Sequence, residues 1–481
     1  MAKPQLARRR GRSSRGTTTT TRTLWWSSPA GVLTLIVPIS LGLAVRTSDL
    51  TFRQLYRTPK TLSTPDAKLL LLAGALLLVG AMLPLALRGP GRPGSGPWPD
   101  FEPDQLRLLR RASTVCFRLT IVGYAAFLLA GVARGARPAT LLTALTSQNS
   151  YSGTLKQTFA PVTGITTLTQ VGMAYVVLAG LLLAVGDRRG IWRRVAVVLV
   201  LATARTFFLT ERLAILEIVV PFALLLAVGR YRRSDRSWAL PFAPAFAFPA
   251  LVVVFGAFEY SRSWTFFRSR TTSTFPQFVL DRLAGYYSTA YNNSAISLHH
   301  EGAPGRLPYS TLEGLWTAPG ISQLHLYDRF STVDAPSQYA LLLKQYGTPE
   351  FNNPGGLATP LVDFGVHGGL VVMLVVGVLI GFCYRSFRGG GHLGMLLYPL
   401  VFTGLLELPR YFYWGQGRLV PAVVALVVVA VKLRRRPSPA PVPASLHPLE
   451  SSAPANSPTA PDDGPARPDV ERSDQRAPVP V

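Results

Sequence analysis

The stretch FNNPGGLATPLVDFGVHGGL (351–370) joins a long polar segment to an apolar run of membrane-spanning length. It carries two asparagines, a Pro-Gly-Gly turn, an aspartate and a histidine at the start of a predicted transmembrane helix. Asp363 and His367 are four residues apart, so on a helix they share one face. Ionisable groups at membrane depth are functional hypotheses by default. The simpler interpretation is a turn followed by a helix, with its N-cap at Thr359 and Pro360 at the first helical position.

Composition indicates a chain that lies in a membrane. The 481 residues are 48% hydrophobic, and the mean hydropathy is +0.26. Apolar runs of membrane-spanning length exclude a string of soluble domains. The formal net charge of +25 would suit nucleic acid, but the basic residues cluster at the ends of the apolar runs, as topology signals do. We therefore expect no nucleic-acid partner.

The two cysteines, Cys116 and Cys383, both fall inside apolar runs. This placement excludes a disulfide framework, and no Cys/His spacing indicates zinc. The basic N-terminal segment is followed by no convincing small-residue cleavage site. We therefore expect the first apolar run to be retained as a helix.

Ten apolar runs predict an all-α polytopic membrane protein with about ten transmembrane helices. Several runs are short for a bilayer core about 30 Å thick. The runs lie at 29–46, 68–87, 112–133, 162–185, 195–209, 213–229, 239–258, 361–384, 393–408 and 416–431.

Basic residues in the short loops determine the predicted orientation. GDRRGIWRR (186–194) and RYRRSDR (230–236) hold four basic residues each. Short loops rich in Lys and Arg stay on the cytoplasmic side, so both termini are predicted to be cytoplasmic. The predicted organisation is a disordered basic tail (1–28), seven spans (29–258), one large extracytoplasmic loop of short helices (259–360), three spans (361–436) and a disordered Pro/Ala/Ser-rich tail (437–481).

Charged residues interrupt the apolar pattern in stretches that this topology places on the outer side. In ARTFFLTERLAILEIVVP (204–221) they are Arg205, Glu211, Arg212 and Glu217. An ionised group in the bilayer costs about 2.5–3.5 kcal/mol on insertion scales, so these side chains need partners, water or a ligand. The alternative is a tight outer hairpin with a structural pair between Glu211 and Arg212.

Two further outer stretches are FEYSRSWTFFRSR (258–270) and ELPRYFYWGQGR (407–418). In the first, Glu259 and Arg262 are three residues apart, and a simple helical ion pair is the alternative to a binding role. In the second, interfacial Tyr and Trp are expected at any membrane surface. Arg410 is therefore the informative residue of that stretch.

An arginine-rich outer site indicates an anionic substrate. Arg suits phosphate because its planar fork donates bidentately and stays charged. No Asp-x-Asp pair precedes the C-terminal tail, so a metal-held nucleotide sugar is not favoured, and we expect neither a metal nor a cofactor. The site suits a substrate that carries its own phosphate on a lipid. AGYYSTAYNNSAIS (284–297) offers rings that stack on sugars and amides that bind hydroxyls; the alternative is an ordinary solvated loop.

Five stretches carry a resemblance to a known family. Together with the apolar runs, over about residues 29–436, they resemble the bacterial oligosaccharide repeat unit polymerases, the Wzy-type O-antigen and capsular polysaccharide polymerases. The stretches are PVTGITTLTQVG (161–172), RTFFLTERLAILE (205–217), FEYSRSW (258–264), NNPGGLATPLVDFGVHGG (352–369) and ELPRYFYW (407–414).

The resemblance implies a glycosyltransferase reaction on the outer face of the bacterial cytoplasmic membrane. A glycan on undecaprenyl pyrophosphate is transferred to the sugar end of another lipid-linked repeat unit, and undecaprenyl pyrophosphate leaves. Repetition of this step builds a polysaccharide of the cell envelope. Such polymerases are similar to O-antigen ligases and need no metal. The expected partners are the lipid-linked glycan and the bilayer, together with a flippase and chain-length regulator proteins.

Site roles follow from this resemblance and from position in the chain. Arginines would hold the pyrophosphate and offset charge on the leaving group, and a base would deprotonate the acceptor hydroxyl. For the base we expect His367, oriented by Asp363, with Glu211 as the alternative. The predicted substrate-binding residues are Arg205, Arg212, Glu217, Arg262, Asn352, Asn353 and Arg410.

Other functions stay open at this point. In a transporter or flippase for a lipid-linked glycan, charged residues would line a path through the membrane, whereas here they concentrate on the outer side. An O-antigen-ligase-like transferase shares the expected chemistry. Polyprenyl-phosphate-sugar glycosyltransferases often carry an acidic first outer loop, whereas the first outer loop here (46–67) is basic. A purely structural membrane protein would not need Glu217.

Overall fold

The computed structural model describes residues 23–87, 101–137, 166–209, 213–233, 237–260, 273–301, 307–331 and 334–434, with a few isolated positions between these ranges. The described residues form helices and turns and contain no β-strand. The helices are α1 (Pro29–Arg46), α2 (Thr64–Ala86), α3 (Pro103–Ala133), α4 (Val171–Ala184), α5 (Ile191–Leu209), α6 (Leu213–Arg233), α7 (Ala243–Glu259), α8 (Phe275–His300), α9 (Glu313–Trp316), α10 (Leu326–Phe330), α11 (Ala335–Tyr346), α12 (Thr359–Arg388), α13 (His392–Glu407) and α14 (Val420–Arg434).

Within the described ranges, seven helices are long and apolar enough to cross a membrane. They are α1, α2, α3, α6 and α12, together with α4 and α7 when each is counted with the 3-10 turn before it (Thr167–Ala184 and Leu240–Glu259). This composition is that of a helical membrane protein. Helix α13 is apolar but has 16 residues, α14 has 15, and α5 carries three arginines. Each of the ten predicted runs overlaps a helix, while the count of ten spans and their orientation stay predictions.

Helix α4 lies at the centre of the helical bundle. Its sequence VGMAYVVLAGLLLA is apolar on every face, and every residue except Leu183 is buried. An all-round apolar helix is stable only where neighbours or lipid cover every face. Here α3, α6 and α14 surround it, so the helices that carry charged ends are arranged around one apolar axis.

Glycines allow α2 and α12 to approach each other closely. A Cβ added at Gly80 would clash with the carbonyl oxygen of Leu374, and one at Gly377 would clash with that of Leu77. Small residues at helix contacts let backbones meet and increase van der Waals contact, which is a main source of helix association in membranes. This contact fixes α12, the helix that begins within FNNPGGLATPLVDFGVHGGL (351–370).

Helix α8 contains the Tyr- and Asn-rich stretch 284–297, and residues 288–297 of it are buried. Asn292 accepts hydrogen bonds from the backbone N–H groups of Thr61 (2.6 Å) and Leu62 (3.0 Å) and donates to the carbonyl of Pro59 (3.0 Å). The expectation that this stretch is either a solvated loop or a set of free sugar-binding amides is wrong for Asn292. Its amide is occupied in joining α8 to the segment before α2.

The ends of the helices gather into two groups. At one end, Arg110 pairs with Asp187, and Arg232 donates to the carbonyl of Arg388 at 3.0 Å. These residues belong to the start of α3, the turn after α4, and the ends of α6 and α12. The stretches predicted to lie outside meet at the opposite ends of α4, α6 and α12, which we call the site end.

Candidate functional site

A connector of residues 408–419 joins α13 to α14 at the site end. It contains two short 3-10 turns, Tyr413–Gly415 and Gly417–Leu419. The Pro-Gly-Gly turn holds its backbone, because the N–H of Gly355 donates to the carbonyl of Arg410 (2.9 Å) and that of Gly356 donates to Leu408 (3.0 Å). The path of the connector therefore depends on Gly355 and Gly356.

Two properties make these glycines difficult to replace. Gly355 has a φ of +79°, a left-handed conformation that residues with a Cβ rarely adopt. A Cβ on Gly356 would overlap the carbonyl oxygens of Tyr411 and Leu408. The turn predicted from Pro-Gly-Gly is therefore present. It ends the preceding segment and also fixes the backbone of the connector.

Arg410 is paired within the connector but keeps unused donors. Its Nη1 donates to Oε2 of Glu407 at 2.8 Å, and its guanidinium lies 5.7 Å from the ring centroid of Tyr286 and 5.3 Å from that of Tyr411. The side chains of Arg410 and Glu407 are 16% and 7% exposed. Among the described residues, Nε of Arg410 is buried and finds no hydrogen-bond partner. A guanidinium has five N–H donors, so an anionic ligand would find several unoccupied.

A second buried pair joins α6 to the connector. The Nε of Arg418 lies 2.8 Å from Oε1 of Glu217, and its Nη2 donates to Oε2 at 3.1 Å. The hydroxyl of Tyr413 also donates to Oε1, at 3.0 Å. The Glu217 side chain is only 2% exposed, whereas that of Arg418 is 23% exposed. Glu217 was predicted to bind substrate; the structure shows that its carboxylate is occupied by Arg418 and Tyr413.

The two arginines act on the same tyrosine. Burial raises the pKa of Tyr411, while the positive charges of both Arg410 and Arg418 act on this pKa in the opposite direction. A charged side chain changes the pKa of another group appreciably only when the two lie close in space. The connector therefore places two cations near Tyr411 at the site end.

Arg205, at the end of α5, lies beside the 3-10 turn 166–170. Its Nη1 donates to Oγ1 of Thr169 at 2.9 Å, and its guanidinium lies 5.8 Å from the ring centroid of Phe127. The turn also contacts the connector's second 3-10 turn, so Arg205 approaches the site from the α5 side. Its predicted role in phosphate binding stays a prediction.

Asp363 and His367 are separated by a break in α12. Gly365 has φ +72° and ψ 170°, which is not a helical conformation. The prediction that Asp363 and His367 share one helical face is therefore wrong. Asp363 is buried and accepts a hydrogen bond from the backbone N–H of Thr311 at 2.5 Å. His367 is exposed, and in the part of the chain that the structure describes it makes no hydrogen bond or ion pair. Their roles as base and orienting group stay predictions.

The two asparagines of the opening stretch differ in exposure. Asn352 is exposed, and its carbonyl accepts from the Tyr339 hydroxyl at 3.2 Å. Asn353 is buried, and its carbonyl accepts from Nδ2 of Asn293 at 3.0 Å. Within the described ranges, Nδ2 of Asn353 has no hydrogen-bond partner. Only the side chain of Asn352 is thus open to solvent.

Three predicted site residues, Glu211, Arg212 and Arg262, lie outside the described residues. Glu259, which the sequence suggested as an ion-pair partner of Arg262, lies 3.6 Å from Nε of Arg282 on α8. Arg282 also pairs with Glu350 at 2.7 Å. A buried arginine between two glutamates therefore joins α8 to the end of α7 and to the segment before α12.

Sequence reasoning missed Arg418 and Glu313. Arg418 lies inside the quoted stretch 407–418, but its partner Glu217 is far away in sequence, so no local spacing pointed to the pair. Glu313 begins the short helix α9, which contacts both 3-10 turns of the connector. Its only sequence signal is that it is one of few acids in the segment between α8 and α12.

The site end thus holds two paired arginines, Arg410 and Arg418, with tyrosines around them. Such a site can bind a phosphorylated group bidentately and can stabilise negative charge that develops on a leaving oxygen. No group of three or more His, Cys, Asp or Glu that could hold a metal ion occurs in the described ranges.

Comparison of the chain with models of known protein families, with characterised proteins and with solved structures finds no match.

Proposed function

We propose that this protein is a glycosyltransferase that polymerises lipid-linked oligosaccharide repeat units on the outer face of a bacterial cytoplasmic membrane. The donor is a glycan on undecaprenyl pyrophosphate, and the acceptor is the sugar end of a second lipid-linked unit. The resemblance of the quoted stretches to Wzy-type polymerases supports this reaction. A closely related activity, transfer to a different glycan acceptor as in O-antigen ligases, would use the same donor chemistry.

One observation carries the proposal: Arg410 and Arg418, each paired with a buried glutamate, lie in one short connector at the ends of apolar helices. A lipid pyrophosphate has its charged group at the membrane surface and its chain in the bilayer, so its binding site must join these two environments. The connector does so, because it follows α13 and precedes α14. Arginine is the side chain best suited to hold a pyrophosphate in such a place.

The pair with Glu407 also keeps Arg410 charged without using up its donors. Burial opposes the charge of Arg410, but Glu407 and the neighbouring tyrosines outweigh this effect, so the pKa of Arg410 is raised. A charge that is held in place before the reaction stabilises the leaving pyrophosphate without reorganisation. Arg205, Arg212 and Arg262 are the further predicted contacts to this group.

Deletion of the gene in the native bacterium tests the proposal. Lipid-linked glycans and surface polysaccharide are compared by gel and by mass spectrometry. We expect single repeat units to accumulate on lipid and long polymer to disappear. The wild-type gene restores polymer, whereas Arg410→Ala and Arg418→Ala do not restore it.

Arg329→Ala is the matched control, because Arg329 is an exposed arginine of the same outer segment. It should restore polymer fully at an equal amount of protein in the membrane. Long polymer that is retained in the deletion strain, or that collects inside the cell, would overturn the proposal. The second of these outcomes is the one expected of a transporter.

A further inference from the structure

The acids near the connector differ in what their oxygens contact. Glu217 is held by Arg418 and Tyr413, and Glu407 is held by Arg410. Asp363 accepts from the backbone of Thr311. A carboxylate that is occupied by a cation or a donor is a weak proton acceptor, because its charged form is already stabilised. None of these acids is therefore suited to remove a proton from an incoming hydroxyl.

Glu313 differs from these three acids. Its carboxylate makes no hydrogen bond and no ion pair with any residue that the structure describes. It is partly exposed, so a ligand can reach it. Burial raises the pKa of Glu313 above its usual value, and the charge of Arg418 lowers it by a smaller amount. A carboxylate with a raised pKa is a better proton acceptor than an ordinary one, since the most effective base has a pKa near the working pH.

The backbone fixes Glu313 over the connector. The next residue, Gly314, is packed so closely that an added Cβ would lie 2.9 Å from Cγ2 of Val420 and 3.2 Å from the carbonyl oxygen of Gly415. Two residues before Glu313, the N–H of Thr311 is bonded to Asp363 at the start of α12. Helix α9 thus has contacts on both sides, and its acid is held near Arg418.

The neighbours of Glu313 agree with this placement. Besides Arg418 on the connector, Tyr309 interacts electrostatically with Glu313: burial raises the pKa of Tyr309 to about 12, and the charge of Glu313 adds to the effect. A tyrosine with this pKa stays neutral at physiological pH. Of these two neighbours of Glu313, Arg418 is therefore the charged one. Helix α9 contacts the 3-10 turn that carries Arg418, so a cation for the pyrophosphate and an acid for the acceptor lie on adjacent elements.

We propose that Glu313 is the general base that deprotonates the acceptor hydroxyl; this assignment rests on the proposed function. The acceptor oxygen forms a bond to the anomeric carbon of the donor sugar, and the bond between that carbon and the phosphate oxygen breaks. The electron pair of that bond leaves with the lipid pyrophosphate beside Arg410 and Arg418. The acceptor proton passes to Glu313 and from there to solvent.

Purified full-length protein in liposomes tests this assignment. The substrate is the lipid extract of the deletion strain, which holds the accumulated repeat units, and the readout is the initial rate of polymer formation. Glu313→Gln keeps the size of the side chain and removes the base, so we expect a loss of about 100-fold or more. Glu313→Asp keeps a carboxylate at a changed distance and should retain more activity than Glu313→Gln. Asp328→Asn, at an exposed acid of the same outer segment, should match the wild type.

Rates are compared at equal amounts of folded protein, measured by thermal unfolding. A Glu313→Gln rate within about threefold of the wild type would overturn the assignment while leaving the proposed function intact. If Glu313→Gln unfolds, the folded Asp variant decides: a rate above about one-tenth of the wild-type rate supports the base, and a lower rate overturns it. Wild-type protein that forms no polymer from this extract would overturn the proposed function itself, and with it the role of Glu313.

Discussion

Arg410 can be tested in a way that separates binding from folding. Replacing it by Ala removes a cation from the site and also leaves the carboxylate of Glu407, 7% exposed, without its partner. Breaking a buried ion pair costs about 3–5 kcal/mol. We expect a loss of about 3 kcal/mol in the free energy of unfolding, at the lower end because 16% of the Arg410 side chain is exposed.

The matched variant is the double substitution Glu407→Gln with Arg410→Ala. It leaves no unpaired charge, so most of the lost stability should return, since replacing both partners costs far less than removing one. Polymer formation should not return, because the cation that stabilises the leaving group is still absent. Loss of one such donor lowers a rate by about 10²–10³-fold.

Two assays on the same samples separate the effect of Arg410 on stability from its effect on activity. Unfolding in mixed micelles reports the free energy, and the initial rate of polymer formation from lipid-linked repeat units reports activity. Glu407→Gln alone keeps Arg410 and should stay active. A double variant that regains both stability and rate would show that Arg410 acts only through folding, and would refute its role in holding the pyrophosphate.

Further predictions concern the backbone of the site and the pH dependence of the reaction. Gly356→Ala should destabilise the protein by about 2 kcal/mol or more through overlap with the carbonyl of Tyr411, whereas Gly42→Ala, with open space around it, should be neutral or slightly stabilising in thermal unfolding. Asn292→Ala leaves two backbone N–H groups and one carbonyl without their partner and should cost about 3 kcal/mol, measured by denaturant unfolding; no loss would mean that water replaces the amide. Because a base must be deprotonated, the wild-type rate should fall as pH decreases through the raised pKa of Glu313, and the residual rate of Glu313→Gln should lack this acidic decline.

The helices could be predicted well from the sequence. Each predicted apolar run overlaps a helix, because about 20 apolar residues in succession have few other stable states. The turn at Gly355 and Gly356 could also be predicted, since Pro and Gly mark turns by their own backbone preferences. These features depend on residues that are neighbours in the chain.

Features that depend on distant residues could not be predicted. Glu217 and Arg418 are brought together by the packing of α6 against its neighbours, and no spacing in the sequence encodes that contact. Asn292 resembled a free sugar-binding amide until its three backbone partners were known. Gly365 lies in a stretch with a helical pattern, and its φ of +72° changes where His367 lies relative to Asp363.

The attachment of the connector has an evolutionary consequence. Arg410 is held at its carbonyl by Gly355, and Leu408 is held in the same way by Gly356, so the path of the chain does not depend on which side chain stands at position 410. A substitution there changes the charge offered to a ligand and leaves the outline of the site in place. Related chains could therefore diverge in the head groups they accept through point changes in the connector, while the glycine pair stays under constraint.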